Sequence, residues 1–161
     1  NARPIVTASA RLLVPSKLSN SSGRGLFCLV PTYRWYSATP NQTGSAEEIA
    51  FEDSTFDSVV VGYSLCTIPD PIKALKEIKR VLKSNGKLFF TEHGISPEES
   101  VRRWQHRINP IWSKLAGGCN INRNTEDMIL RSGFKFDQLQ KKYIKGPKIA
   151  CFNYYGIAGK N

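Results

Sequence analysis

The chain has 161 residues and a net charge of +10, with 40% apolar and 22% charged side chains, a balance that suits one globular domain with its own core. No apolar run approaches the roughly 20 residues that a membrane-spanning helix needs. The four cysteines, Cys28, Cys66, Cys119 and Cys151, form no C-x-x-C pair, and only His93 and His106 could join them. Their spacing argues against a metal site and for buried free thiols in a reducing compartment.

The charge is unevenly spread. Residues 1–43 carry Arg3, Arg11, Lys17, Arg24 and Arg34 and no acid, which is half of the net +10. This segment is rich in Ser, Thr and Pro, lacks sustained periodicity, and has short apolar stretches stopped by Pro15 and Pro31. It reads as an atypical N-terminal segment, presequence-like or disordered. A mitochondrial location follows if it is a presequence, and a cytoplasmic one otherwise. The remainder, residues 44–161, is only mildly basic and reads as the folded domain; nothing in it asks for a specific nucleic acid.

From Gly44 the pattern changes. Phe56 to Tyr63 is a β-branched run that predicts a buried strand. Asp70-Pro71 opens a helix, with Asp as the N-cap and Pro in the first helical position. Ile72, Leu75, Ile78 and Leu82 recur at helical spacing, widened by Ala74 and Val81, while Lys73, Lys76, Lys79, Arg80 and Lys83 fill a solvated face. Ser84-Asn85-Gly86 is expected to end the helix, with Gly86 left-handed, before a second strand over Lys87 to His93. Strand, helix and strand with short connections predict a βαβ unit, hence parallel strands covered on both faces.

A Trp- and Arg-rich segment, Val101 to Leu115, follows and breaks at Gly117-Gly118. A helix capped near Asn124 or Thr125 then runs towards Ser132-Gly133. Two closing strands, Phe134 to Ile144 and Ile149 to Ile157, meet through Gly146-Pro147 and predict an antiparallel edge hairpin.

The phrase Ala46-Glu47-Glu48-Ile49-Ala50-Phe51-Glu52-Asp53, followed by Ser54-Thr55-Phe56-Asp57, resembles the approach to the fourth strand of class I S-adenosylmethionine-dependent methyltransferases. Ala74 to Lys83 with Gly86-Lys87-Leu88 resembles the helix and fifth strand that come next. Leu65-Cys66, Glu92-His93, Trp104-Gln105, Pro110, Trp112 and Gly118-Cys119 resemble a narrower group, the type 11 methyltransferases and their thiol-methylating, membrane-associated animal relatives. The quinone-pathway methyltransferases are similar, less closely. The resemblance covers the C-terminal part of the domain only.

It implies an α/β fold with a Rossmann-like class I methyltransferase sheet, mostly parallel with an antiparallel C-terminal edge hairpin and with N-terminal strands missing or atypical. It implies S-adenosylmethionine as cofactor and a small, apolar acceptor bearing a thiol, hydroxyl, amine or activated carbon, with a membrane surface as a further partner. Ser45, Ala46 and Glu47 fall where the family meets the adenine, and Tyr63, Ser64 and Leu65 fall beside the reacting methyl. His93, at the end of a strand, is the candidate catalytic base, set against a structural pairing with Glu92 or a neighbouring loop. Trp104 and Trp112 would line an apolar pocket or, favoured, anchor their segment to the core. His106, among arginines, is expected at the surface.

Two family features have no counterpart. Gly23-Arg24-Gly25 lacks a preceding strand to make it the cofactor's glycine-rich turn, and no acid precedes Glu47 to bind the ribose. The alternative function is therefore a catalytically inactive methyltransferase fragment that acts only by binding a partner.

Overall fold

A computed structural model describes residues 26–29, 34–37 and 43–160, with side chains from Ser45 onward. The elements in chain order are β1 (Leu26–Leu29), β2 (Arg34–Ser37), β3 (Thr43–Ser45), β4 (Phe56–Gly62), α1 (Pro71–Val81), β5 (Leu82–His93), α2 (Glu99–Leu115), α3 (Thr125–Arg131), β6 (Phe134–Tyr143) and β7 (Phe152–Lys160). They form one seven-stranded sheet in the order β3-β2-β1-β4-β5-β7-β6. The centre is parallel, β1 with β4 and β4 with β5; the two flanks, β3-β2-β1 and β5-β7-β6, are antiparallel. Residues before position 44 thus contribute β1 and β2, so the sheet begins ahead of the boundary expected from composition. The glycine pair at Gly23 and Gly25 lies outside the described residues.

The βαβ unit forms for the expected local reasons. The Asp70 carboxylate accepts from the Lys73 backbone N–H at 2.9 Å, and Pro71 occupies the first turn. Ala74, Leu75, Ile78 and Val81 are fully buried against Val59 and Val61 of β4 and Leu88 of β5. Burying each such side chain contributes about 1.5–3 kcal/mol. The helix ends earlier than its turn residues suggested. Leu82 goes extended at ψ 139°, and β5 starts there. Gly86 is not left-handed: it is needed because a Cβ there would lie 2.9 Å from Leu82 Cδ2 and 3.0 Å from the Lys83 carbonyl.

The closing hairpin begins at Phe134 as expected, but its second strand starts later than Ile149, at Phe152, because Pro147 to Cys151 turns first, with Ala150 N–H donating to Pro147 O. Gly156 is required where β6 bulges between Phe136 and Gln138: a Cβ would fall 2.0 Å from the Gln138 carbonyl oxygen. The Val101 to Leu115 segment is the helix α2, which buries Gln105 fully while leaving Trp104, Ile111 and Leu115 exposed. Among the described residues, no helix is long and apolar enough to cross a membrane.

Cover on both faces of the sheet is not observed. The face bearing Val60, Phe89 and Ile157 is an open depression of about 430 Å³ with no helix over it among the described residues. The other face carries the core.

Arg80 ties α1 to the segment that leads from β3 into β4. Its guanidinium donates to the carbonyls of Ile49 (2.7 Å) and Phe51 (2.8 Å) and to the carboxylates of Glu77 and Asp53. Glu77 in turn accepts from the Ile49 N–H at 3.0 Å, and Arg80 holds its carboxyl below the usual carboxylate range. Replacing Arg80 by Ala should cost about 2 kcal/mol in denaturant unfolding at neutral pH. A depressed folded-state pKa stabilises above the unfolded value and ceases to do so as pH falls. The difference between wild type and Arg80→Ala should therefore narrow below about pH 4.5.

Candidate functional site

The parallel strands β4 and β5 end side by side, and ligands of open α/β sheets bind at such carboxyl ends. The chain leaves β4 through Tyr63, whose φ of 48° is left-handed. That reversal turns the next two backbone N–H groups inward, where Glu92 receives both: Ser64 N–H at 2.6 Å and Leu65 N–H at 3.1 Å, each to Oε1. Glu92 is fully buried and its Oε2 has no hydrogen-bond partner. Burial pushes its carboxyl up to about 7, against the opposing effect of the two N–H donors.

The loop that Glu92 holds presents Cys66, and two further loops converge on it. His93 follows Glu92 at the strand end, and Cys119 follows the Gly117-Gly118 break, where both glycines have positive φ. Asn120 closes the arrangement, its N–H donating to the Cys66 carbonyl at 2.8 Å and its side-chain amide donating to the same oxygen at 3.2 Å. Cys66 Sγ, His93 and Cys119 Sγ place their donor atoms within 4.8 Å of one another. His93 Nε2 lies 3.0 Å from Cys119 Sγ. Two of the cysteines read as widely scattered are therefore neighbours, brought together by loops that sequence spacing does not register.

The electrostatics of the three are linked. Cys119 is pulled down, first by neighbouring Cys66 and also by His93, against burial. Cys66 is pushed up, first by Cys119 and then by burial. Burial opposes charge on His93, but Cys119 and Glu92 outweigh it and raise its pKa. The Trp112 indole N–H is buried without a well-formed hydrogen bond, and its proximity stabilises the Cys119 thiolate.

The remaining sequence candidates separate. Ser45 ends β3, and its hydroxyl accepts from Glu47 N–H at 3.2 Å. Ala46 is buried, and the Glu47 carboxylate accepts from Asp70 N–H at 2.8 Å, tying this turn to the start of α1. Ser64 and Leu65 are buried, with their N–H groups committed to Glu92. Tyr63 alone of that trio offers a partly exposed side chain; its hydroxyl donates to Asn153 Oδ1 at 2.8 Å and its ring stands 5.6 Å from that of His93. His93 pairs with Cys119 on a neighbouring loop, the second of the two structural pairings considered from sequence, and not with Glu92. His106 is exposed beside Asn122. Trp112 packs beside Cys66, Cys119 and Ile121, whereas Trp104 is 58% exposed under Arg107, so only one of the two tryptophans anchors. The sequence reading singled out Cys66, Cys119 and Gln105 only as part of the family resemblance and gave them no role at the site. The last accepts from Ser96 N–H and donates to the Gly94 and Ile149 carbonyls, clamping the segment after β5.

A βαβ centre with its site at the carboxyl ends of the parallel strands is the arrangement in which open α/β sheets bind their ligands. Residues 32–90 match the family model described as "Methyltransferase domain". The chain is 39% identical over 89 residues to thiol S-methyltransferase TMT1B of Rattus norvegicus, covering 55% of this chain and 36% of that protein. It is 32% identical over 113 residues to thiol S-methyltransferase TMT1A of Homo sapiens, covering 67% and 45%. A SAM-dependent methyltransferase of Thermotoga maritima superposes with a TM-score of 0.53 at 23% identity, over 73% of this chain and 62% of that one. One from Methanosarcina mazei gives 0.54 at 22% identity, over 73% and 65%. Over residues 32–90 the chain thus matches part of a methyltransferase domain, and its fold is that of S-adenosylmethionine-dependent methyltransferases. It spans less than half the length of these curated thiol S-methyltransferases.

Removing the Glu92 carboxyl should expose how much the loop depends on it. Glu92→Ala leaves two buried N–H groups without an acceptor and should lower stability by about 3 kcal/mol or more. Glu92→Gln keeps an acceptor oxygen for both and should lose less than about 1 kcal/mol, as read by thermal and denaturant unfolding.

Proposed function

We propose that the chain serves methyl transfer from S-adenosylmethionine to a small apolar acceptor, a thiol first among the candidates. The observation that carries this reading is the convergence of Tyr63, His93 and Cys119 at the carboxyl ends of β4 and β5, on the loop that Glu92 fixes. The likeness to the thiol S-methyltransferases TMT1A and TMT1B supports the choice of a thiol.

The residues present fit one wall of a cofactor site. Ser45 Oγ and the Ala46-Glu47 turn are available for an adenine, and Tyr63 flanks the place where a sulfonium methyl would lie. No acidic side chain for the ribose and no glycine-rich turn stand among the described residues at the ends of β1 and β2. When bound, the cofactor supplies an electrophilic methyl group. The protein's own part is to hold the acceptor in line and to take its proton. His93 is the group suited to taking that proton. Its Nε2 is engaged by Cys119, which orients the ring, and Tyr63 packs beside it.

Calorimetric titration of the purified chain with S-adenosylmethionine and S-adenosylhomocysteine, followed by transfer of labelled methyl to an alkyl thiol, tests the reading. Binding at micromolar levels with label appearing in the thioether is expected. His93→Ala should then reduce turnover by about 10²-fold or more with cofactor affinity unchanged. No heat at millimolar cofactor from a folded sample would overturn the proposal in favour of an inactive, partner-binding fragment.

A further inference from the structure

We infer that Cys66, His93 and Cys119 form a three-ligand zinc site whose fourth coordination position takes a thiolate.

Four observations carry it. The three donor atoms lie within 4.8 Å of one another. Tetrahedral zinc with sulfur at about 2.3 Å and nitrogen at about 2.0 Å sets its ligands about 3.5–3.8 Å apart, so small side-chain adjustments close the site. The ligands come from three separately anchored segments: Cys66 on the loop held by Glu92, His93 at the end of β5, and Cys119 on the turn held by Asn120. Such anchoring fixes donor positions before a metal arrives. The sulfurs also have neighbours suited to thiolates, with Thr67 Oγ1 3.2 Å from Cys66 Sγ and the otherwise unpartnered Trp112 N–H beside Cys119. Hydrogen-bond donors of this kind orient and tune metal-bound sulfur.

Charge supplies the fourth observation. Cys66 and Cys119 are 3% and 8% exposed, and Glu92 nearby is fully buried. Two thiolates cannot both be carried there alone. With Zn²⁺ and a neutral imidazole the set has no net charge, so burial favours the loaded state. Among the described residues no fourth His, Cys, Asp or Glu joins the group. Three protein ligands with one position left is the pattern of zinc that handles substrate, and a Cys₂His set is one of its known forms. Two sulfurs and one nitrogen select zinc over magnesium or calcium.

The metal half of the inference stands apart from the function proposed above; the thiolate half rests on it. In the loaded state His93 is a ligand and not the base, so an incoming thiol would release its proton to water and bind the metal through sulfur. That sulfur would attack the sulfonium methyl, breaking the S–CH₃ bond of the cofactor and leaving a thioether and S-adenosylhomocysteine. A neutral thioether binds zinc weakly and would depart.

The test uses the full chain, reduced and freed of metal, titrated with Zn²⁺ against a chromophoric chelator and separately with Co²⁺. One equivalent of zinc should bind, with more than about a hundredfold weaker binding in Cys66→Ser and in Cys119→Ser and none of that loss in Cys151→Ser. Zinc should protect two thiols of the wild type from alkylation, a readout that needs no variant to fold. Cobalt should give intense tetrahedral visible bands with thiolate charge transfer, and an added alkyl thiol should shift them. Zinc binding equal in wild type and both Ser variants, an octahedral cobalt spectrum, or a Cys66–Cys119 disulfide that forms with no metal uptake after reduction would each overturn the metal site. Tetrahedral cobalt bands unmoved by thiol would overturn the open position alone. Zinc binding without cofactor binding would leave the metal site standing and remove the methyl-transfer reading.

Discussion

A single buried carboxylate sets the geometry of everything at the cleft end of the sheet. Glu92 closes two backbone N–H groups that the left-handed turn at Tyr63 would otherwise leave without partners inside the protein. Each unpaired buried donor costs about 1–3 kcal/mol, so the turn and the carboxylate require each other. Its second oxygen has no hydrogen-bond partner, which is why burial drives the acid towards its protonated form. Every residue with chemistry at this end is positioned through that contact. Cys66 is two residues beyond Ser64, His93 is the next residue after Glu92, and Asn120 docks Cys119 onto the Cys66 carbonyl.

The strand order follows from covalent reach on one flank and from packing on the other. Only four residues separate β1 from β2, too few for the crossover that parallel neighbours need, so the two pair antiparallel. By contrast α1 bridges β4 and β5 and permits the parallel pair. The consequence is functional. No helix follows β1 among the described residues, so none of them brings a helix N-terminus to the crevice between β1 and β4 to hold an anionic group. What is built is the side that reaches from β4 across β5.

That division also explains what could be read from the chain. The elements from β4 to β5 and from α3 to β7 were legible because their signals are local: an Asp-Pro cap, a spacing of three and four, a glycine after the last turn. The end of α1 misled because Ser84-Asn85-Gly86 has turn chemistry while Leu82 had already gone extended, and Gly86 is there for close approach instead. The Trp- and Arg-rich segment gave no helical stripe because α2 buries only Gln105 completely and exposes Trp104, Ile111 and Leu115. Cys66, His93 and Cys119 could not be grouped from spacing at all. Their proximity is a product of two loops docking on a strand end, and neither loop carries periodicity.

Burial and proton balance together constrain what the three groups can be. Left as they stand, His93 Nε2 shares a hydrogen bond with Cys119 Sγ, and Cys66 Sγ, which donates to the Tyr63 carbonyl, lies within 4.8 Å of both. A dipositive ion changes that balance: both sulfurs become ligands, the imidazole is neutral, and the burial that penalises two free thiolates ceases to do so. The same fold therefore supports either an inert hydrogen-bonded cluster or an electrophilic centre one coordination position short of complete. The second would give a further reason for gathering two thiols and an imidazole beside Tyr63 at the end of β4.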